Sequence, residues 1–174
     1  MNKNSLAKIL VIILIVLAIL GVWLLKSKEQ PKEIPLETGN SDFALFITEE
    51  IDLEKLKSYK LPIIIDFGSQ TCPPCKKMAP DLKALNEELR DKAIVRYVDL
   101  TQYNDLANGF PVSVTPTQFL FNADGTPYMP SEGEAIAFNL YSSKSSDEHI
   151  LTAHEGLLTK DEMLNLLDKM GMEK

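Results

Sequence analysis

The stretch Ile63 to Pro80, IIIDFGSQTCPPCKKMAP, carries a C-x-x-C pair at the seam between two different hydrophobic patterns. Before the seam, Leu61 to Phe67 (LPIIIDF) is a short, nearly continuous apolar run, the pattern of a strand buried on both faces. After it, Met78, Leu82, Leu85 and Leu89 recur at helical spacing, so Pro73 to Arg90 is predicted to be a helix that Pro80 kinks. Cys72 then falls at the helix amino terminus, where unpaired backbone N–H groups and the helix dipole favour a thiolate, and it is the predicted attacking group. Cys75 lies a turn further in, near enough to resolve a mixed disulfide yet shielded from solvent. Pro73 suits the first helical position, where a missing N–H has no partner to lose.

On either side of this seam, strands and helices alternate. Phe43 to Thr48 reads as an edge strand, Ile51 to Lys60 as a helix, Ala93 to Leu100 as a strand and Gln102 to Asn108 as a short helix. Thr117 to Phe121 is a strand closed by the turn Asn122-Ala123-Asp124-Gly125. In residues 126–155, the alternation of Ala135 to Tyr141 and of Ile150 to Ala153 around a polar loop, Ser142 to Asp147, predicts an enlarged hairpin, an insertion or a docking element. Thr159 and Glu162 form a capping box for a last helix whose buried side is Met163, Leu166, Leu167 and Met170. Asp66 stands out inside the apolar run, because buried carboxylates are rare and are functional candidates where they occur.

Cys72 and Cys75 are the chain's only cysteines, which excludes a disulfide-rich scaffold and a four-cysteine zinc site. Strand-to-helix placement of C-x-x-C in an alternating chain is a redox pattern. Two other readings stay open: inert structural thiols, and half of a zinc site completed by His149 and His154, although those lie further from Cys75 than a usual finger loop.

Over most of residues 43–174 the chain resembles the thioredoxin family, on several linked positions beyond Cys72-Pro73-Pro74-Cys75. Asp66, six residues before Cys72, matches the family's buried carboxylate, which the resemblance makes an aid to proton transfer from the resolving cysteine. Pro80 matches the kink proline of the active-site helix. Val114-Thr115-Pro116-Thr117 resembles the segment whose cis-proline faces the disulfide, which implies substrate binding by Thr115, Pro116, Pro73 and Pro74. Arg96 stands where many relatives carry a lysine near the buried acid. The chain departs from the pattern at Gly68 and Thr71, where typical thioredoxins have tryptophans. The implied fold is α/β and thioredoxin-like: a central mixed sheet flanked by helices, with the enlarged hairpin of 126–155 towards the carboxyl-terminal part.

Ahead of this domain (42–174), Ile9 to Leu25 is an unbroken apolar run of 17 residues, about 26 Å as a helix and just enough to cross a bilayer. A cleaved signal peptide has a shorter apolar region and a small-residue cleavage site, which Leu20-Gly21-Val22-Trp23 does not offer. The run is therefore read as a single transmembrane anchor (9–25) behind a short leading segment (1–8), with residues 26–41 as an extended, proline-containing tether. Lys3 and Lys8 oppose Lys26, Lys28 and Lys32 in a near tie of positive charge; the short leading segment places the amino terminus inside and the domain on the extracytoplasmic face of the cell membrane. A net charge of −7, from 18 Lys and Arg against 25 Asp and Glu, supplies no basic footprint, so nucleic acid is excluded as the default partner.

The expectation that follows is a membrane-tethered thiol–disulfide oxidoreductase needing no metal and no organic cofactor. The resemblance makes it a reductase, since the buried acid and the proline before Cys75 match reducing relatives. Its partners are then extracytoplasmic protein disulfides, the haem-site cysteines of apocytochrome c among them, and a transmembrane thiol electron donor. The alternatives are a disulfide-forming or isomerising enzyme, and a non-enzymatic membrane-tethered binding module on the same scaffold.

Overall fold

A computed structural model describes residues 16, 20 and 41–173. The predicted anchor and tether lie outside the described residues, apart from helical Val16 and Leu20 and from Ser41. Among the described residues no helix is long and apolar enough to cross a membrane. The chain divides into two units, Met1–Glu37 and Thr38–Lys174, and the sheet and its helices belong to the second.

Among the described residues five strands, β1 (Ile63–Gly68), β2 (Ile94–Asp99), β3 (Thr117–Phe121), β4 (Asn139–Ser142) and β5 (His149–Glu155), form one mixed sheet in the order β2-β1-β3-β5-β4. Only the β1–β2 pair is parallel, and it is joined through a helix, as a parallel connection requires. Every residue of β1 is buried, as its continuous apolar run predicts for a strand covered on both faces. On one side Ile64, Val95 and Leu120 pack under Met78, Leu82 and Leu85 of α2 (Pro73–Glu88) and under Met163, Leu166 and Leu167 of α3 (Lys160–Lys169). On the other, Ile63, Ile65, Phe67, Phe119 and Phe121 meet Leu56 of α1 (Leu53–Ser58) and Ile47. Each such side chain removed from water stabilises the fold by about 1.5–3 kcal/mol. The capping box of α3 is formed: Thr159 Oγ1 accepts from the Glu162 N–H, and Glu162 Oε2 accepts from the Thr159 N–H at 2.8 Å.

Three segments differ from expectation. Phe43 to Thr48 does not run as a strand: it touches the outer edge of β2 at one residue, with Tyr97 N–H donating to Leu45 O at 2.6 Å and Ile47 N–H donating to Tyr97 O at 2.9 Å. The hairpin is confined to β4 and β5, while residues 126–138 are almost wholly irregular. Pro127 makes a single antiparallel bridge to Phe121, and beyond it Pro130, which has no N–H to donate, and Gly133 disfavour further strand pairing. The segment is held instead by Glu134, which accepts from Tyr128 Oη and the Ser131 N–H and pairs with Lys169. Arg96 does not approach the buried acid, because the β1–β2 register pairs it with Ile65 and pairs Asp66 with Tyr97. Side chains alternate between faces, so Arg96 points to the side opposite Asp66, where its Nε donates to Ala44 O at 3.0 Å.

Tyr97 also explains Gly68. A Cβ on Gly68 would stand 2.6 Å from Tyr97 Cε2, closer than two carbons approach, so the tyrosine ring takes the space that any side chain at 68 would fill. Gly68→Ala is expected to lower stability by roughly 1–3 kcal/mol, and by clearly less in a Tyr97→Leu background. Urea unfolding of the four proteins of this cycle measures the coupling; equal losses in both backgrounds would contradict the clash.

Candidate active site

The seam that opens the domain's chemistry is built by a helix cap. Cys72 is the N-cap residue of α2, in extended backbone conformation, and its Sγ accepts from the Cys75 N–H at 3.2 Å. The sulfur thus takes the place that a serine or aspartate oxygen fills at other helix starts, with Pro73 at the first helical position. Cys72 and Cys75 are joined in a disulfide with Cα atoms 5.3 Å apart. Cys72 is partly exposed and Cys75 only 4% exposed, so an incoming molecule meets the first sulfur and not the second. Pro73 and Pro74 form an exposed rim beside it.

Across from the cap, the Thr115–Pro116 peptide is cis and Pro116 is buried. The Thr115 carbonyl oxygen lies 3.4 Å from Cys72 Sγ, an acceptor placed for the thiol of the reduced form. Thr117 Oγ1 donates to Val114 O at 2.8 Å and Gly156 N–H donates to Pro116 O at 2.9 Å, which fix this loop to β3 and to the end of β5. Gly156 sits at φ +125°, a conformation that only glycine adopts without strain. Ser69, Thr71 and Thr101 link their hydroxyls, and Gln70 Nε2 donates to Asp99 Oδ2 at 2.7 Å, so the loop before Cys72 is tied to the end of β2.

Asp66 is fully buried in the middle of this arrangement, on the face of the sheet that α2 covers. Its Oδ1 accepts from Gln118 Nε2 at 2.7 Å. Burial pushes its carboxyl up to about 7, against the smaller opposing effect of the Gln118 hydrogen bond. Tyr97, its neighbour on β2, is held protonated chiefly by burial and then by the negative charges of Asp99 and Asp66. Cys72, Cys75, Thr115, Pro116, Pro73 and Pro74 therefore surround one disulfide, with Asp66 beneath the same helix. The histidines of the zinc alternative are engaged elsewhere: His149 Nε2 with Thr152 Oγ1 and Leu151 O, and His154 Nδ1 with Ala137 O. A helix-capping disulfide beside a buried proton carrier can perform thiol–disulfide exchange, the attack of one thiolate on a disulfide sulfur.

The family model for thioredoxin matches residues 46–141. This chain belongs to the thioredoxin family. It is similar to Thioredoxin 1 of Chlorobaculum tepidum, 38% identical over 89 residues that cover 47% of this chain and 88% of that protein. It is also similar to the chloroplastic Thioredoxin Y of Oryza sativa subsp. japonica, 34% identical over 87 residues, 50% of this chain and 51% of that one. The chain thus spans about half the length of the chloroplast thioredoxins that it matches. The fold is shared with a mutant thioredoxin from Halobacterium salinarum NRC-1, at 23% identity and a TM-score of 0.51, over 78% of this chain and 98% of that one.

Within this thioredoxin frame, three residues of the site were not singled out from the sequence: Tyr97, Gln118 and Gly156. Gln118 had a visible sign, a lone amide inside the apolar strand Thr117–Phe121; Tyr97 and Gly156 become site residues only through register and backbone angle. The raised carboxyl of Asp66 gives a sign-determined pH effect. An unfolded aspartate ionises near 3.8, so in the oxidised protein the native state binds the extra proton between that value and about 7. The stability associated with Asp66 is complete below about pH 4 and is lost as pH rises through about 7. Asp66→Asn removes this dependence, so relative to the parent its stability is expected to rise by roughly 3–4 kcal/mol between pH 4 and pH 8. Denaturant unfolding at the two pH values measures it, and a pH-independent difference would contradict the assignment.

Proposed function

We propose that the protein is a membrane-tethered thiol–disulfide oxidoreductase that reduces disulfides in proteins on the extracytoplasmic side of the cell membrane. The observation that carries the chemistry is the Cys72–Cys75 disulfide itself, with the Cys72 sulfur capping α2, partly exposed and 3.4 Å from the Thr115 carbonyl. Membership of the thioredoxin family supports the same reaction. In the reduced protein, the Cys72 thiolate attacks one sulfur of a substrate disulfide; that bond breaks, and the departing substrate sulfur takes a proton from water. Cys75 then passes its proton to Asp66 and attacks Cys72 Sγ; the bond from Cys72 to the second substrate sulfur breaks, and that sulfur leaves as a thiolate that takes a proton from water, Asp66 later giving its own proton back to solvent. Two electrons have moved from the dithiol to the substrate, and the pair is left as a disulfide. Thr115, Pro116, Pro73 and Pro74 line the approach to Cys72 and contact the substrate backbone.

The location rests on the apolar run Ile9 to Leu25 with its polar tether, and the reducing direction on Asp66 and on Pro74 before Cys75. Where disulfides persist, a reductase must be recharged, so the electron donor is a thiol carrier within the membrane. The cysteines of apocytochrome c that receive haem are one substrate class of this kind. The full-length Cys75→Ser protein, which keeps Cys72 but cannot resolve, is expected to accumulate mixed disulfides with substrate proteins in protoplasts. A membrane-impermeant phosphine added outside should release them. Absence of adducts would contradict the exchange reaction, and release only after lysis would place the domain on the inner face.

A further inference from the structure

A glutamine at the centre of a fully buried strand is costly, because an amide without hydrogen bonds loses about 1–3 kcal/mol on leaving water. Gln118 is fully buried between Thr117 and Phe119, and both of its amide protons are used: one reaches Asp66 Oδ1 at 2.7 Å, the other Gly156 O at 3.2 Å. The Gly156 carbonyl can only accept, which fixes the amide with its NH2 towards Asp66 and its oxygen away. Strand register places Gln118 directly between Asp66 on β1 and His154 on β5. Among the described residues, the buried side-chain polar atoms with no hydrogen-bond partner are Asp66 Oδ2, Gln118 Oε1 and His154 Nε2, all in this one row. His154 Nδ1 lies 2.9 Å from the Ala137 carbonyl, which can only accept, so Nδ1 carries a ring proton.

We propose that Gln118 is a positioning residue for the exchange reaction: its amide, anchored on Gly156, holds Asp66 by Oδ1 and so assigns the mobile proton to Oδ2. Oδ1 already accepts a hydrogen bond, so the acid form of Asp66 carries its proton on Oδ2, which has no hydrogen-bond partner among the described residues. The same contact favours the carboxylate over the acid, because a hydrogen bond to a charged acceptor is about twice as strong as one to a neutral acceptor. It therefore works against the burial that pushes the carboxyl up to about 7, and keeps the ionised form populated at neutral pH for taking the Cys75 proton. The Gly156 main chain gives this holder a second attachment, since its N–H binds Pro116 O beside Cys72. The titratable groups around Asp66 are Tyr97 and Asp99 from β2, Cys75 from α2 and His154 from β5, which Glu162 of α3 faces in turn.

The test uses the full-length chain in detergent micelles. In the parent, the side-chain amide resonances of Gln118 and the carboxyl carbon of Asp66 are expected to titrate with one shared midpoint. In Gln118→Met, which keeps volume without the donors, the Asp66 midpoint and the acid limb of disulfide turnover should both rise by roughly one pH unit. Turnover at pH 7 should then fall about five-fold and recover as pH is raised. Gln118→Glu should move the midpoint further, since a second carboxylate repels the first. Gln118 resonances that ignore the Asp66 titration, or folded variants whose midpoint stays in place, would overturn the proposal; the parent titration decides it if neither variant folds. The inference uses the exchange reaction only for the kinetic arm, so a parent with no turnover would sink that reading and leave the titration to judge Gln118.

Discussion

The carboxyl of Asp66 lies inside the sheet, between Ile65 and Phe67 on a strand with no exposed residue, and is held there by one short hydrogen bond from Gln118. A charge in that place is expensive, so the group is kept near the balance point between acid and carboxylate. Much of the neighbourhood can be understood as the means of tolerating it. Tyr97 flanks it with a neutral phenol, Gly68 leaves room for that ring, and Gly156 anchors the amide that holds it. The arrangement lowers stability at neutral pH, and a protein retains such a cost where the proton is used.

The second constraint is the cap. Because Cys72 supplies the side chain that satisfies the first turn of α2, the sulfur is fixed in position by the same hydrogen bond that begins the helix. Its lone pairs then face backbone N–H groups and the positive end of the helix dipole, which favour the thiolate once the disulfide opens. Cys75, a turn inside and buried, is bonded to Cys72 and is shielded from an incoming disulfide. The order of attack and resolution follows from these two positions.

Much of this was legible in the sequence. The switch from the apolar run Ile63–Ile65 to helical spacing after Pro73 located the strand, the helix and the role of each cysteine, since local periodicity and capping are decided by neighbours in the chain. The capping box at Thr159 was legible for the same reason. Register was not. Arg96 and Tyr97 are adjacent, and a slip of one residue exchanges the face of the sheet, so the sequence alone could not tell which one accompanies Asp66. Gln118 is 52 residues from Asp66 along the chain, and only the antiparallel β1–β3 pairing brings them together. The alternation of Ala135 to Tyr141 suggested a strand over that whole stretch, but pairing with β5 begins only at Asn139, and the residues before it are held by the Glu134 contacts with Tyr128, Ser131 and Lys169.

The proposed function stands on one claim, that the Cys72–Cys75 pair works as a reducing dithiol. The most direct measurement is its reduction potential in the full-length protein, equilibrated against dithiol and glutathione buffers at pH 7. A single two-electron transition at roughly −270 mV, at the thioredoxin end of the scale, is predicted; a potential approaching about −120 mV, or no reversible transition, would contradict the account.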